Sequence, residues 1–120
     1  MPLVILFREA DGSVPLLDWF EGLTEKSRMA CLARIELLKA HGHTLRRPHA
    51  DYLRDGIYEL RIKVQGVNFR ILYFFHGREA VVLSHGFSKQ QATVPDPEIE
   101  TARVRKAAFE RNPEGHSHKE

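Results

Sequence analysis

Hydrophobic and polar positions along the 120-residue chain follow two periods, which together predict a mixture of strands and helices. Leu3–Phe7 is a continuous apolar run, typical of a buried strand. In residues 58–64 apolar side chains alternate with charged ones, which predicts a half-buried strand. Residues 69–75 and 80–84 are further apolar runs, separated by short turns that contain glycine. The last three segments therefore predict an antiparallel meander.

Two helices are expected between the first strand and the meander. The turn at residues 11–13 precedes a short helix, and Ser13 is its expected N-cap. Thr24 is the expected N-cap of a second helix, which Gly42 ends. The apolar stripe of this second helix consists of Cys31, Leu32, Ile35 and Leu38. The two helices together predict a helical hairpin.

A third helix is expected after the meander. Asp96 is its predicted N-cap and Pro97 its first residue. Ile99, Ala102 and Phe109 are expected to face the core. The element order is therefore β-α-α-β-β-β-α. The predicted fold class is α+β, with the helical hairpin and the C-terminal helix packed on a mostly antiparallel, twisted sheet. Residues 1–111 are expected to form a single domain, and residues 112–120 a polar tail that frays.

Composition places the chain among ordinary globular proteins. It is 42% hydrophobic and 28% charged. Cys31 is the single cysteine, so no internal disulfide can form, which fits a reducing cytosol and predicts a cytoplasmic location. The apolar start is only seven residues long and follows no basic stretch, so we expect neither a signal peptide nor a membrane partner.

Positive charge is concentrated in the middle of the chain. The net charge of +2 is too small to indicate nucleic-acid binding by itself. Residues 41–91, however, carry eight Lys and Arg against four acidic residues, and five of the seven histidines. A locally basic surface attracts polyanions. Arg46 and Arg47, in the predicted loop at residues 43–56, are candidate substrate-binding residues.

Metal-binding and cofactor motifs are not found in the sequence. It contains no CxxC, HExxH, phosphate-loop or GxSxG pattern. His41 and His43 supply two possible ligands, whereas zinc sites need three or four. We therefore expect no metal and no cofactor.

Cations cluster on one face of the predicted meander. Arg61 and Lys63 lie two residues apart in a strand and share a face. With the turn at residues 65–68, Lys63 is expected opposite Arg70, with Arg61 diagonal to it. Like charges placed opposite each other destabilise a sheet, so an anionic ligand would explain the cluster. The alternative is that these side chains reach into water or pair with acids such as Glu59.

The end of the third meander strand adds to this cluster. Lys89 follows that strand and can approach the same face, with His85 and Phe87 before it. Cations beside an aromatic ring suit a phosphodiester with unstacked bases, so Phe87 is a further candidate substrate-binding residue. Packing in the core is the alternative role for Phe87, and the more common one for such a residue.

Four motifs in order resemble the RelE/HigB superfamily of bacterial toxins, and most closely its phage-derived, HigB-type branch. They are L-x-x-G-I-Y-E-L-R at 53–61, F-R-I-L-Y at 69–73, H-G-F-S-K at 85–89 and P-x-x-E-I-x-x-A at 95–102. The resemblance covers residues 3–110, nearly the whole predicted domain. It implies a small RelE-like fold and a cognate antitoxin, often a helix-turn-helix protein. It also implies a ribosome-dependent mRNA endoribonuclease that inhibits translation without a metal.

The implied chemistry is attack of a ribose 2′-hydroxyl on the adjacent phosphorus. By motif position, Arg61 matches a basic family residue, Arg70 the arginine that binds the scissile phosphate, and Lys89 a group that stabilises or protonates the leaving oxygen. The base is open among His49, Lys63 and His85.

Two departures from the family pattern keep other functions open. The family's late-strand tyrosine has no counterpart here, and Gln90 stands where the family often has a second lysine. One alternative is a ParE-like protein that acts on DNA gyrase. Another is an inactive relative that only binds RNA or its antitoxin.

Overall fold

The computed structural model describes residues 2–119. Its elements, in chain order, are β1 (Leu3–Phe7), α1 (Pro15–Glu21), α2 (Glu25–His41), β2 (Ala50–Arg54), β3 (Ile57–Val64), β4 (Val67–His76), β5 (Ala80–Lys89), α3 (Asp96–Arg111) and β6 (Ser117–Lys119). The six strands form one sheet in the order β2-β3-β4-β5-β1-β6. Every neighbouring pair is antiparallel except β1 and β5. The predicted α+β class is confirmed.

Helices cover both faces of the sheet because successive strand residues alternate between two cores. We call the side packed against α1 and α2 the hairpin face. Its core includes Leu60, Ile62, Ile71, Tyr73, Val81 and Leu83 from the strands, and Leu16, Phe20, Cys31, Ile35 and Leu38 from the helices. We call the other side the α3 face. Its core includes Ile57, Leu72, Phe74 and Val82, packed against Ile99, Ala102 and Phe109.

The helix boundaries agree with the sequence at α2 and differ slightly at α1 and α3. The hydroxyl of Thr24 accepts a hydrogen bond from the backbone N–H of Ser27, so Thr24 is the N-cap of α2, as predicted. Ser13 does not cap α1, which starts after Val14 without a side-chain cap. α3 starts at Asp96 itself rather than after it. Within residues 2–119, no helix combines the length and the apolar character needed to cross a membrane.

The turn between β3 and β4 is shorter than expected, and this changes the register. Gln65 and Gly66 form a two-residue turn with φ values of 49° and 82°, which suits a tight hairpin. Val64 pairs with Val67, and Arg61 therefore lies opposite Arg70. The predicted pairing of Lys63 with Arg70 is wrong.

Two strands lie where the sequence predicted irregular chain. β2 occupies part of the predicted loop at residues 43–56 and pairs with β3. β6 occupies the predicted frayed tail and pairs with β1. The ring of His116 stacks on Phe7 with 5.1 Å between ring centroids, which anchors the tail. The expectation of a frayed tail is therefore wrong for residues 113–119, and Glu120 lies outside the described residues.

Candidate functional site

Strand pairing aligns the candidate residues in rows across the α3 face. Arg61 lies opposite Arg70, and Arg70 lies opposite Phe87. The backbone N–H of Arg61 donates to the carbonyl of His49 at 2.8 Å, which adds His49 to this row. Residues directly opposite each other project to the same side of a sheet. The row therefore brings His49, Arg61, Arg70 and Phe87 to one face.

Two neighbouring rows bring the other candidates to the same face. The row toward the β3–β4 turn consists of Lys63, Asn68 and Lys89. The row on the other side consists of Asp51, Glu59, Leu72 and His85. Helix α3 covers the far end of this face, around Phe74 and Val82. The six predicted catalytic residues thus share one sheet face.

A cleft opens at the end of the sheet that carries these rows. One part encloses about 300 Å³ and is lined by Arg34, Pro48, His49, Arg61, Ile62, Lys63, Asn68 and Arg70. A second part encloses about 380 Å³ and is lined by Gly66, Val67, Asn68, Ser88, Lys89, Gln90 and Gln91. Because both parts share Asn68, we treat them together as the cationic cleft. A larger cavity of about 830 Å³ lies near Leu3 and Phe109, but its lining lacks this concentration of cations.

Arg70 is held at the base of the cleft by a buried ion pair. Its Nε donates to Glu59 Oε1 at 2.8 Å, and its Nη1 donates to the carbonyl of Phe69 at 3.0 Å. Arg70 is 4% exposed and Glu59 6%. Burial lowers the pKa of Arg70, the charge of Glu59 opposes this, and Arg61 lowers the pKa further. The guanidinium still remains charged at neutral pH because an arginine pKa lies so high.

The other cations of the cleft are more accessible. Within residues 2–119, neither Arg61 nor Lys63 forms an ion pair. Lys89 Nζ donates to the carbonyl of Ala92 at 2.9 Å. Partial burial lowers the pKa of Lys89, and the charges of Arg70 and Arg61 lower it further, against the opposing charge of Glu59. Arg61, Lys63 and Lys89 therefore supply positive charge that a bound anion can reach.

The two histidines on this face differ in their surroundings. His49 is half-buried and lines the cleft. His85 is buried, with Nδ1 lying 2.9 Å from Ser84 Oγ and Nε2 lying 2.9 Å from Glu98 Oε1. The carboxylate can only accept, so the assigned tautomer has Nε2–H donating to Glu98 and Nδ1 accepting from Ser84. Burial lowers the pKa of His85, against the hydrogen bond to Glu98. Both ring nitrogens of His85 are thus occupied within the fold.

None of the three predicted substrate-binding residues, Arg46, Arg47 and Phe87, lines the cleft. Arg46 does not line the cleft, and its Nη1 donates to the carbonyls of His43 and Leu45 at 2.5 and 2.9 Å. Arg47 forms an ion pair with Asp51 at 2.8 Å. Phe87 is half-buried and packs against the α3-face core. Only Phe87 belongs to one of the three rows.

Arg34 belongs to the cleft and was not a candidate from the sequence. It lies on α2, and its Nη1 donates to the backbone carbonyl of Arg61. Burial lowers its pKa. Because β2 starts only at Ala50, which pairs with Leu60, the rest of β3 extends beyond β2. The carbonyl that accepts from Arg34 lies on this part of β3. Arg34 and Arg61 are far apart in sequence, and no periodic pattern relates them.

No group of three or more His, Cys, Asp or Glu residues is placed to hold a metal ion within residues 2–119. The side chains that line the cleft supply guanidinium, ammonium, imidazole and amide groups. These groups bind phosphate oxygens, and imidazole and ammonium can also transfer protons.

A family model described as "Phage derived protein Gp49-like (DUF891)" matches residues 18–107, three quarters of the chain. The matched region includes every predicted catalytic residue and Arg34. No curated protein matches the chain.

Proposed function

We propose, from the premise that this chain belongs to the Gp49-like family of phage-derived, toxin-like proteins, that it is the toxin of a toxin–antitoxin system. We further propose that it is a RelE/HigB-type endoribonuclease that cleaves mRNA on the ribosome. The observation that carries the proposal is the convergence of Arg61, Lys63 and Lys89 on one open sheet face. Accessible cations that share one face suit a phosphodiester better than a neutral ligand.

The proposed reaction is an internal phosphoryl transfer. The ribose 2′-oxygen forms a bond to the adjacent phosphorus while the bond from phosphorus to the 5′-oxygen breaks. A base takes the proton of the 2′-hydroxyl, and an acid gives a proton to the leaving 5′-oxygen. The products are a 2′,3′-cyclic phosphate and a 5′-hydroxyl. The phosphorane oxygens gain negative charge in the transition state, so fixed cations lower the barrier.

We assign the roles from accessibility. His49 is the proposed base because it lines the cleft, whereas both nitrogens of His85 are occupied. Arg61 and Lys63 are proposed to stabilise the phosphorane oxygens. Lys89 is the proposed acid, because a lowered pKa makes an ammonium group a better proton donor.

A ribosome assay tests the proposal. Wild-type protein is incubated with ribosomes that carry a defined mRNA, and cleavage is mapped by primer extension. We expect the Arg61→Ala/Lys63→Ala double variant to cleave about 100-fold more slowly. The matched control is Lys26→Ala, which removes an exposed lysine of α2 outside the cleft and should cleave at the wild-type rate. Intact mRNA with the wild-type protein, or unchanged cleavage by the double variant, contradicts the proposal.

A non-catalytic toxin is a second candidate, and the Arg70–Glu59 ion pair supports it. Glu59 neutralises Arg70 and places a carboxylate beside the expected position of the scissile phosphate. A protein that arrests growth while mRNA stays intact would act by binding. A DNA supercoiling assay then distinguishes gyrase inhibition from binding to RNA.

The proposed toxin also requires a partner that restrains it. We propose a cognate antitoxin, with a helix-turn-helix protein as the first candidate. Co-expression of the neighbouring reading frame should relieve growth arrest and co-purify with the toxin. Growth arrest that persists despite stable co-expression contradicts that pairing.

A further inference from the structure

A strip of aromatic rings crosses three strands on the hairpin face, away from the cationic cleft. We call it the aromatic strip, and its members are His43, Tyr52, Tyr58, Tyr73 and Phe75. Tyr52 lies opposite Tyr58, and Tyr58 lies opposite Tyr73. Successive ring centroids along this row are 5.0 and 5.4 Å apart. The ring of Tyr58 also lies 5.3 Å from that of Phe75, so Tyr52, Tyr58, Phe75 and His43 form a continuous chain of ring contacts, whereas Tyr73 is 1% exposed and belongs to the core.

The two ends of the aromatic strip are exposed. Tyr52 is 52% exposed although it is a large aromatic residue. The ring of His43 is exposed and stacks on Phe75, with 3.6 Å between ring centroids and 20° between planes. The hydroxyl of Tyr52 accepts a hydrogen bond from the backbone N–H of Gly56 at 3.0 Å, which fixes the ring. Both exposed rings are thus held in place before any ligand arrives.

Arg46 supplies positive charge to the aromatic strip. Its guanidinium donates to the carbonyl of His43 and acts electrostatically on the hydroxyl of Tyr73. Within residues 2–119, Arg46 has no ion-pair partner. The nearest acid along the chain, Asp51, is paired with Arg47. Arg46 is exposed and therefore accessible to an anion, while the charges of Glu59 and Asp51 also act on the Tyr73 hydroxyl.

We infer that the aromatic strip and Arg46 form a second binding site, which takes a single-stranded segment of RNA. Bases stack on fixed aromatic rings, and an arginine between them binds the phosphate backbone. An acidic protein partner would use the charge of Arg46, but it would leave the flat faces of His43 and Tyr52 without a stacking partner. The inference shares only the choice of RNA with the proposed function and needs no cleavage.

A two-dimensional ¹H–¹⁵N NMR titration of the full chain tests the site. The probe is a 2′-O-methylated oligoadenylate of about eight nucleotides, within the range of small single-strand-binding domains. Its methylated 2′-oxygens prevent cleavage by the proposed mechanism. Supporting outcomes are amide shifts at residues 43–46, 52 and 58, with or without shifts in the cationic cleft. Shifts confined to the cleft, or no shifts, overturn the inference.

Variants measured by fluorescence anisotropy with the same labelled probe complete the test. Tyr52→Leu and Arg46→Ala should each weaken binding about fivefold or more. Met29→Ala, at an exposed apolar position of α2, is the matched control and should bind as the wild type does. Tyr52→Phe keeps the ring and should retain most of the affinity. Unchanged affinity in Tyr52→Leu and Arg46→Ala overturns the inference, whereas loss of ribosomal cleavage alone affects only the proposed function.

Discussion

The ion pair between Arg70 and Glu59 predicts a large loss of stability when one partner is removed. Arg70→Met keeps most of the side-chain length and removes the charge. Glu59 would then remain buried without the guanidinium that it accepts from at 2.8 Å. Breaking a buried pair in this way costs about 3–5 kcal/mol. Against a total of about 5–15 kcal/mol for a domain, this is a substantial fraction.

A second effect acts in the opposite direction but is smaller. Arg61 lies opposite Arg70, so Arg70→Met also removes a repulsion between like charges. Cross-strand charge pairs contribute only about 0.2–1 kcal/mol. Arg61 is half-buried at the cleft, so solvent screens part of this repulsion. The loss of the buried pair therefore dominates.

Thermal and urea denaturation of four proteins test this reasoning: wild type, Arg70→Met, Glu59→Gln, and the double variant. We expect Arg70→Met to unfold with a midpoint temperature lower by roughly 10–20 °C. The double variant should recover much of the loss, because no uncompensated charge then remains buried. A loss below about 1 kcal/mol in Arg70→Met, or additive effects in the cycle, would refute the reasoning. Activity of Arg70 variants should accordingly be compared at equal folded fractions.

Three further predictions follow from single contacts. Gly86→Ala should destabilise the fold by about 1–3 kcal/mol and alter Trp19 fluorescence, because the added Cβ would overlap the Trp19 ring; unchanged stability and fluorescence would count against that contact. The pKa of His85 is lowered by burial, so the unfolded chain binds the proton more readily. Neutral His85 should therefore make its full contribution to the free energy of unfolding above about pH 6.5, and this contribution should decrease as the pH drops below that value. Between neutral and mildly acidic pH, the midpoint of thermal unfolding should depend less on pH in His85→Gln than in the wild type. An equal pH dependence in the two proteins would disprove this role. Thr24→Ala should cost about 1 kcal/mol, measured by urea unfolding, because α2 loses its N-terminal cap; a change of only a tenth or two would contradict it.

Elements with a clear period were predictable from the sequence. β3 alternates in residues 58–64, and α2 has a capping threonine and a terminal glycine, so both were identified within a residue or two. β2 was not identified because only five residues form it and Tyr52, at its centre, is exposed. β6 has three polar residues, and pairing with β1 rather than its own composition makes it a strand.

The candidate site was predictable in its residues and less so in its geometry. The sequence placed Arg61, Lys63, Arg70 and Lys89 on one sheet face, and the pairing of β3, β4 and β5 places them so. The register differed because Gln65 adopts a positive φ, which non-glycine residues rarely do. The charge pattern allows pairing of Arg70 with Glu59 but does not show that the pair is buried. Arg34 and the occupied nitrogens of His85 depend on contacts between distant segments.

Both outer strands of the sheet are short or irregular. β6 has three residues, and β2 has five with a register shift between Tyr52 and Arg54. Long, flat outer strands are templates on which further copies of a protein add and build fibres, and short or bulged ones resist this. Copies that accumulate at high concentration should therefore stay separate rather than polymerise strand by strand.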